Sequence, residues 1–245
     1  MRYKIIIEYD GLNYSGWQRQ KNRTNTIQEI IENSLKKLTQ QNIKITGAGR
    51  TDALVSAYNQ VAHFDTDIKF EPKKFLYSIN CILPDSILIK SIKKVSLDFH
   101  ARYSAKKREY IYYITTKDIA INNAHFYKLN YILNFKIISD FIAFLKSNKY
   151  FKSLCKNKID KHNYNCNIFD IDLKQNKSKN QIILKITADR FLQSMVRAMA
   201  GCLVDLGRNR LDLHQTINSI KNGEPLKIYY LPGNALFLNK IYYRS

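Results

Sequence analysis

The chain has 245 residues, 45% of them hydrophobic, so it can bury a sizeable core and an intrinsically disordered protein is excluded. Its 40 Lys and Arg residues outnumber 20 Asp and Glu, and the formal net charge of +20 indicates a polyanionic partner, either nucleic acid or an anionic membrane surface, although AT-rich coding would also enrich lysine. No stretch has the apolar length of a membrane span and the N-terminus is too charged for a signal peptide, so the protein is expected in the cytoplasm.

The first part of the chain predicts alternating strands and helices. An Ile- and Tyr-rich run predicts a strand from Tyr3 to Tyr9. The capping-box pattern Thr26-Ile27-Gln28-Glu29 predicts the start of an amphipathic helix, and a second helix is predicted from Pro72 to Leu83. The other strands predicted up to residue 115 are 43–46, 59–65, 87–95 and 108–115.

The second part repeats this pattern. The elements predicted there are a helix at 137–145, a polar loop at 148–165, a hairpin of strands 168–174 and 181–188, helices at 195–207 and 213–220, and a closing strand at 235–242. The sequence therefore predicts an α+β fold with two comparable halves. We place the N-terminal domain at residues 1–104 and the C-terminal domain at 105–245.

A glycine-rich loop, Gly47-Ala48-Gly49-Arg50-Thr51-Asp52, follows the strand predicted at 43–46. Two glycines allow a tight turn and a close approach to a ligand. If the following residues are extended, Arg50 and Asp52 lie on the same side of the chain. The same pattern is typical of a surface turn in which Asp52 caps the next element, so this motif alone does not identify a site.

A basic and aromatic stretch runs from Arg102 to Tyr110 and includes Lys107 and Arg108. Cations bind phosphates and aromatic faces stack on unpaired bases, so the stretch indicates RNA contact. It is equally typical of a lysine-rich strand edge that resists aggregation.

Arg197 follows Met195 and Val196 on a predicted helix with otherwise apolar neighbours. A guanidinium there needs an anionic partner or a route to solvent. Two interpretations stay open, because the side chain can snorkel to the surface or bind a carboxylate such as Asp52 in bidentate fashion. The stretch 231–238 predicts a turn that leads into a buried C-terminal strand.

The four cysteines lie far apart without a C-x-x-C pair, which does not favour a disulfide framework. Cys155, His162 and Cys166 are close in sequence, but their irregular spacing is a weak pattern for zinc. No metal site is therefore predicted.

Taken in order, these stretches resemble the TruA family of tRNA pseudouridine synthases along the whole chain. The matches are Y-D-G-x-x-Y-x-G-W-Q-x-Q at 9–20, T-[VI]-Q-x-x-[LI]-E at 26–32, G-R-T-D-A of the catalytic signature G-R-T-D-A-G-V-H-A at 49–53, Q-V-A-H-F at 60–64, R-[FY]-S-A…R-x-Y at 102–110 and F-L-x-x-M-V-R-x-[MI]-x-G at 191–201. An ordered set of this kind is far more specific than any single motif.

The chain departs from the family pattern just after the G-R-T-D-A match. Leu54 and Ser56 stand where the family usually has Gly and His. The first change removes easy access to positive φ, and the second removes a side chain near the catalytic loop, so substrate contacts or rate are expected to differ. The stretch Leu231-Pro232-Gly233 also departs from the usual A-P-x.

The resemblance implies two RRM-like α+β halves with mainly antiparallel sheets, joined across a basic catalytic cleft, and a homodimer. It implies isomerisation of uridine to pseudouridine at positions 38 to 40 of the tRNA anticodon stem-loop, without cofactor or metal. Asp52 is the expected nucleophile or base on a flipped-out uridine. The sequence leaves open attack at C1′, addition to uracil C6 and a glycal route through C2′ deprotonation.

The resemblance also implies roles for the residues around that carboxylate. Arg50 is expected to fill the space vacated by the flipped nucleotide, Tyr110 to stack on the uracil, and Arg197 to pair with Asp52. The residues expected to bind substrate are Tyr110, Arg102, Lys107, Arg108 and Gln60.

Two other functions stay open at this point. A non-catalytic RNA-binding protein of two RRM-like halves would explain the charge and the aromatics. It has no use for Asp52, because a carboxylate opposes phosphate binding. A pseudouridine synthase for another RNA site is the second alternative, since Leu54 and Ser56 alter the catalytic loop.

Overall fold

The computed structural model of the protein describes residues 1–20, 24–156 and 163–243. It forms two compact units, one of Met1–Lys106 with Phe237–Ser245 and one of Lys107–Leu236. The sequence placed this division at 104/105 and kept the closing strand with the second half. The closing strand instead belongs to the first unit, because it hydrogen-bonds there in parallel register through Ser56↔Phe237 and Ala57↔Leu238.

The first unit is built on one mainly antiparallel sheet. Its strands are β1 (Arg2–Tyr9), β2 (Ile45–Gly47), β3 (Ser56–Asp65), β4 (Ile87–Val95) and β9 (Leu236–Tyr243). They lie in the order β4-β1-β3-β9, with β2 paired to β3. Among the described strand pairs of this unit, β3–β9 is the only parallel one.

Two helices of the first unit are α1 (Ile27–Thr39) and α2 (Pro72–Ile82). Thr26 caps α1 as predicted, since its hydroxyl accepts the Glu29 backbone N–H at 3.4 Å. Glu29 differs from the capping-box prediction, because its carboxylate lies 3.5 Å from the Arg19 guanidinium. Alternate residues of β1 are buried, starting at Tyr3, and with the apolar face of α1 they form the core of this unit.

The strands of the second unit are mainly antiparallel, with one short parallel pair. They are β5 (Ala105–Thr115), β6 (Tyr127–Lys128), β7 (Ile168–Asn176) and β8 (Gln181–Ala188), in the order β5-β8-β7 with β6 on β5. Its helices are α3 (Phe135–Ser147), α4 (Met195–Gly207) and α5 (Leu213–Asn222). Helix α3 packs against α4, α5 and β7, and α4 is almost wholly buried.

The predicted α+β class with mainly antiparallel sheets is confirmed, as are the predicted helices and the β7–β8 hairpin. The two-residue strand β6 was not predicted. The stretch 148–165 is more than a solvated loop, because its described residues include a 3-10 turn at Lys152–Leu154 and the buried side chains of Phe151 and Leu154.

Among residues 1–20, 24–156 and 163–243, no helix is both long and apolar enough to cross a bilayer. The same residues contain no group of three His, Cys, Asp or Glu side chains suited to a metal ion. His162 of the weak zinc pattern lies outside the described residues. Burial raises the pKa of the Cys166 thiol to about 12, so this cysteine stays protonated at neutral pH.

Candidate catalytic loop and RNA-contacting residues

The glycine-rich loop connects β2, which ends at Gly47, to β3, which begins at Ser56. Thr51 is buried, Asp52 is half-buried and Arg50 is exposed. The alternation of burial agrees with an extended chain in which Arg50 and Asp52 lie on the side away from the core. The loop therefore places a cation and a carboxylate on the side away from the core while Thr51 anchors it.

Two contacts hold Thr51 in place. Its Oγ1 lies 2.8 Å from the buried hydroxyl of Tyr9, and its carbonyl oxygen accepts the Trp17 backbone N–H at 3.1 Å. Burial raises the pKa of the Tyr9 phenol, so the neutral phenol is kept as a hydrogen-bonding group. The residue before Asp52 is thus tied to β1 and to the Trp17 segment.

Gln60 holds the other end of the loop. Its amide Nε2 donates to the Gly49 carbonyl oxygen at 3.0 Å, and its Oε1 accepts the Val61 N–H at 3.2 Å. The side chain is buried, with 0% exposure. A direct substrate contact for Gln60 stays a prediction, and its observed hydrogen bonds are with the loop backbone at Gly49, with the β3 backbone at Val61 and with the Tyr9 side chain.

The Y-D-G-x-x-Y-x-G-W segment packs directly on the loop. Gly16 has φ +94°, and a Cβ there would lie 2.7 Å from the Thr51 carbonyl oxygen. A Cβ at Gly11 would collide with the Val55 carbonyl group. The Leu54 N–H donates to the Tyr14 carbonyl oxygen at 3.2 Å. Two glycines of the motif are therefore explained by the close approach of the glycine-rich loop.

The two departures from the family pattern leave this packing intact. Leu54 adopts φ +68°, so the positive φ that glycine permits is present without glycine. The Ser56 Oγ accepts the Gly11 N–H at 2.9 Å and donates to the Asp10 carboxylate at 3.4 Å. Ser56 thus links the start of β3 to the Asp10-Gly11 turn.

A buried carboxylate in α1 supports the same region, a role that the sequence reasoning did not assign. Glu32 is 4% exposed, and its Oε2 lies 3.2 Å from both the Arg19 guanidinium and the Lys44 ammonium group. Its Oε1 accepts the Ile45 N–H, which fixes the start of β2. The sequence could have indicated this role, because an acidic residue lies between Ile31 and Leu35 on the apolar helix face, where a carboxylate needs partners.

In the second unit, Arg197 lies in the first turn of α4 and is half-buried. Its Nε donates to the Leu231 carbonyl oxygen at 2.6 Å, and the Leu231 N–H donates to the Arg197 carbonyl oxygen at 3.3 Å. A Cβ at Gly201 would collide with the Tyr229 carbonyl oxygen. The small residue at the end of the F-L-x-x-M-V-R-x-[MI]-x-G motif therefore lets the 229–231 segment lie against α4, where it orients the guanidinium.

Tyr110 lies on β5 and is 8% exposed. Its ring is perpendicular to that of Phe191, with centroids 5.3 Å apart. The neighbouring inward residue Tyr112 donates its hydroxyl to the Pro232 carbonyl oxygen at 2.9 Å. Both aromatic side chains are therefore fixed in orientation within the second unit.

The basic residues of the 102–110 stretch have different environments. Arg108 donates from Nη1 to the Asp189 carbonyl oxygen at 2.6 Å. The Lys107 ammonium lies 4.6 Å from the centroid of Phe169, whose side chain is 49% exposed. Arg102 is exposed and lies over the Tyr103 ring of the first unit. Lys107 and Phe169 together present a cation over an exposed aromatic ring.

Comparison with known proteins shows which family this chain resembles over its whole length. The family profile described as tRNA pseudouridine synthase matches residues 5–104 and 146–244. A tRNA pseudouridine synthase A of Ruminiclostridium cellulolyticum is 36% identical over 257 residues, covering 99% of each chain. The enzyme of that name from Ehrlichia chaffeensis is 38% identical over 224 residues, covering 90% of this chain and 91% of the relative. A third, from Thermoanaerobacter sp., is 33% identical over 242 residues and covers 98% of each.

Proposed function

Because the chain belongs to the tRNA pseudouridine synthase family, and is therefore an isomerase that acts on tRNA, we propose that it modifies uridines at positions 38 to 40 of the anticodon stem-loop. Asp52 is the catalytic carboxylate in this proposal. Family membership favours an enzyme over a non-catalytic RNA-binding protein. The choice between the anticodon stem-loop and another RNA site rests on the resemblance to the TruA motifs.

The observation that carries the assignment of Asp52 is the way its loop is held. Thr51 is bound by Tyr9 and Trp17, and the Gly49 carbonyl oxygen is bound by Gln60. Catalytic groups need to be positioned to within about 0.5 Å by rigid neighbours. The contacts of Gly49 and Thr51 hold the backbone that leads to Asp52, and they support this requirement for a half-buried carboxylate.

The reaction breaks the C1′–N1 bond of uridine, turns the uracil and forms a C1′–C5 bond, after which C5 loses its proton and N1 gains one. The target base must leave its stack to be reached. A carboxylate can attack C1′, add to uracil C6, or remove the C2′ proton in a glycal route. Asp52 can serve in each, and the proposal does not choose among them. The atoms balance without an oxidant, so no redox cofactor is expected.

The other catalytic residues are assigned by resemblance. Arg50, exposed beside the carboxylate, is proposed to occupy the space of the flipped nucleotide and to bind its phosphate. Tyr110 is proposed to stack on the uracil and to assist removal of the C5 proton. Arg197 is proposed to pair with Asp52. Its hydrogen bond to Leu231 supports the idea of an oriented guanidinium.

Binding of the RNA backbone is assigned to Arg102, Lys107 and Arg108. The net charge of +20 supports this assignment, since phosphate neutralisation dominates nucleic-acid affinity. Lys107 beside Phe169 adds an aromatic face that an unpaired base can cover.

A homodimer is also proposed. In the second unit, Ile121 and Ile132 are 83% and 96% exposed, and Tyr131 and Phe135 are exposed nearby in sequence. Clustered exposed apolar side chains are typical of a surface covered by a partner, and the closeness of these four in sequence supports such a cluster. Sedimentation of wild type against Ile132→Lys tests this, and a wild-type monomer at micromolar concentration would refute it.

The decisive experiment measures tritium release from RNA that carries 5-tritiated uridine in the anticodon stem-loop. Wild-type protein is expected to release tritium, and Asp52→Asn is expected to release none while still binding RNA. Asp67→Asn, an exposed aspartate of the same unit, is the matched control and keeps full activity. Release only from tRNA regions outside the stem-loop would refute the proposed site. Full activity in Asp52→Asn would refute the catalytic carboxylate.

A further inference from the structure

Leu54 adopts a backbone conformation that leucine rarely takes. It is the third residue of a turn closed by the Val55 N–H and the Asp52 carbonyl oxygen at 3.3 Å, and its φ is +68°. A turn position with positive φ strongly favours Gly or Asn. Leucine is strained there, because its Cβ crowds the backbone at positive φ.

The surrounding structure imposes this conformation. The Leu54 N–H donates to the Tyr14 carbonyl oxygen at 3.2 Å, and the next residue, Val55, is buried at 2% exposure. Gly11 lies so close to the Val55 carbonyl group that the chain cannot move toward it. The turn is therefore fixed on both sides, and Leu54 bears the strain.

The Leu54 side chain does not contribute to the core that would offset this cost. It is 41% exposed, and Ala53 beside it is exposed as well. The pair forms a small apolar surface that begins one residue after Asp52. Strain retained at a position beside a catalytic group is a reason to look for function in the side chain.

We propose that Leu54 contacts the RNA substrate next to the target uridine. A leucine side chain offers an apolar surface to a nucleobase face or to ribose C–H groups, and apolar side chains are used in this way where bases are unstacked. This proposal rests on the proposed function, since it assumes that Asp52 meets the flipped-out base. It makes Leu54 a specificity-determining residue for this chain, at a position where the family pattern has glycine.

The test compares three substitutions. Leu54→Gly removes both the side chain and the strain, Leu54→Ala removes most of the side chain but keeps a Cβ at positive φ, and Leu54→Asn replaces the apolar group by a polar one that tolerates this φ. We measure tritium release, the Kd for the anticodon stem-loop and the thermal midpoint. All three variants are expected to raise KM and Kd about fivefold with kcat within about twofold. Only the Gly and Asn variants are expected to raise the thermal midpoint.

The outcomes separate this proposal from the proposed function. A wild-type protein that releases no tritium from any tRNA contradicts the proposed function itself. Wild-type activity with unchanged KM and Kd in all three variants contradicts the role of Leu54 alone. A shift of the monomer–dimer equilibrium with unchanged Kd also overturns it, because Leu54 would then lie at a subunit interface.

Discussion

The hydroxyl of Tyr9 and the Oγ1 of Thr51 lie 2.8 Å apart in a buried hydrogen bond, which joins the last residue of β1 to the residue before Asp52. This contact links a residue of the N-terminal Y-D-G motif to one of the G-R-T-D motif. It gives the first tyrosine of the Y-D-G motif a physical role, which is to hold the glycine-rich loop at Thr51.

Removal of the Tyr9 hydroxyl is expected to destabilise the protein. Tyr9→Phe leaves the Thr51 hydroxyl buried without that partner, and the free energy of unfolding should fall by about 1–2 kcal/mol. Thr51→Val removes the other hydroxyl. In a urea-unfolding double-mutant cycle, the double variant should lose less than the sum of the two single losses, because no unsatisfied hydroxyl remains. Strict additivity would show that the hydrogen bond contributes nothing.

Gln60 distinguishes positioning of the loop from contact with substrate. Gln60→Met keeps the side-chain length and removes the hydrogen bond to the Gly49 carbonyl oxygen. If Gln60 positions the loop, kcat should fall about tenfold while KM is unchanged, since a misplaced catalytic group lowers turnover. Gln41→Met, at an exposed position of the same unit, is the control. A raised KM with normal kcat would instead support the substrate contact predicted from the sequence.

Much of the fold could be predicted from local sequence patterns. The helix cap at Thr26 and the apolar periodicity of α1 were readable because both depend on residues within one or two turns of each other. The loop with Asp52 was recognisable from an ordered set of motifs. In contrast, the parallel pairing of β9 with β3 joins residues about 180 positions apart, as in the hydrogen bond from Asn59 to the Asn239 carbonyl oxygen, and leaves no periodic trace.

The same limit applies around the candidate site. A leucine at position 54 predicts that the chain loses the positive φ that glycine favours. The structure keeps the positive φ, because tertiary contacts with Tyr14 and Gly11 override this local preference. Phe151 was assigned to a polar loop since lysines and asparagines surround it in sequence, and only its burial shows that it belongs to the core. In both cases the outcome depends on contacts with residues that are distant in sequence.

Arg197 is expected to matter for turnover more than for RNA affinity. Arg197→Ala removes the guanidinium whose Nε binds the Leu231 carbonyl oxygen, and kcat should fall about 100-fold if it stabilises the catalytic carboxylate. The Kd for tRNA should change less than threefold. Arg210→Ala removes a cation of the same unit that is 64% exposed, and serves as the charge-matched control.

The proposed pairing of Arg197 with Asp52 is tested by combining Arg197→Ala with Asp52→Asn. Their effects on RNA affinity and unfolding free energy should be non-additive if the two side chains interact. A large loss of affinity with near-normal kcat in Arg197→Ala would assign the arginine to phosphate binding instead.

Lys107 is expected to bind phosphate. Lys107→Ala should weaken tRNA binding at low salt and reduce the slope of log K against log salt by about 0.7 to 0.9, the contribution of one phosphate contact. Phe169→Ala should weaken binding of single-stranded RNA without changing that slope, since stacking releases no counterion. Lys179→Ala, in the exposed β7–β8 turn, controls for the loss of one positive charge. An equal change of slope in Lys179→Ala would show that the effect of Lys107→Ala comes from the loss of net charge and not from a specific phosphate contact.

His63 is expected to make stability depend on pH. It is 6% exposed, its Nδ1 accepts the Ala101 N–H at 3.1 Å, and the His100 ring lies 4.8 Å away. Burial, followed by the positive charges of Arg2 and His100, lowers its pKa from 6.5 to about 4, although Asp65 opposes the shift. Between these two pH values the unfolded chain binds a proton that the folded chain does not.

The free energy of unfolding should therefore fall as pH drops from about 6.5 toward 4, and this component should level off below about 4. His63→Asn retains a hydrogen-bond acceptor for Ala101 and cannot titrate. Urea unfolding of both proteins from pH 7.5 to 4 isolates the histidine and its coupling to Asp65, whose pKa is lowered first by Arg2 and also by His63, because the other carboxylates contribute equally to the two curves. As pH falls through this window, the free energy of unfolding of wild type should decrease relative to that of the variant. Parallel curves would show that His63 has the same pKa in the folded and unfolded states.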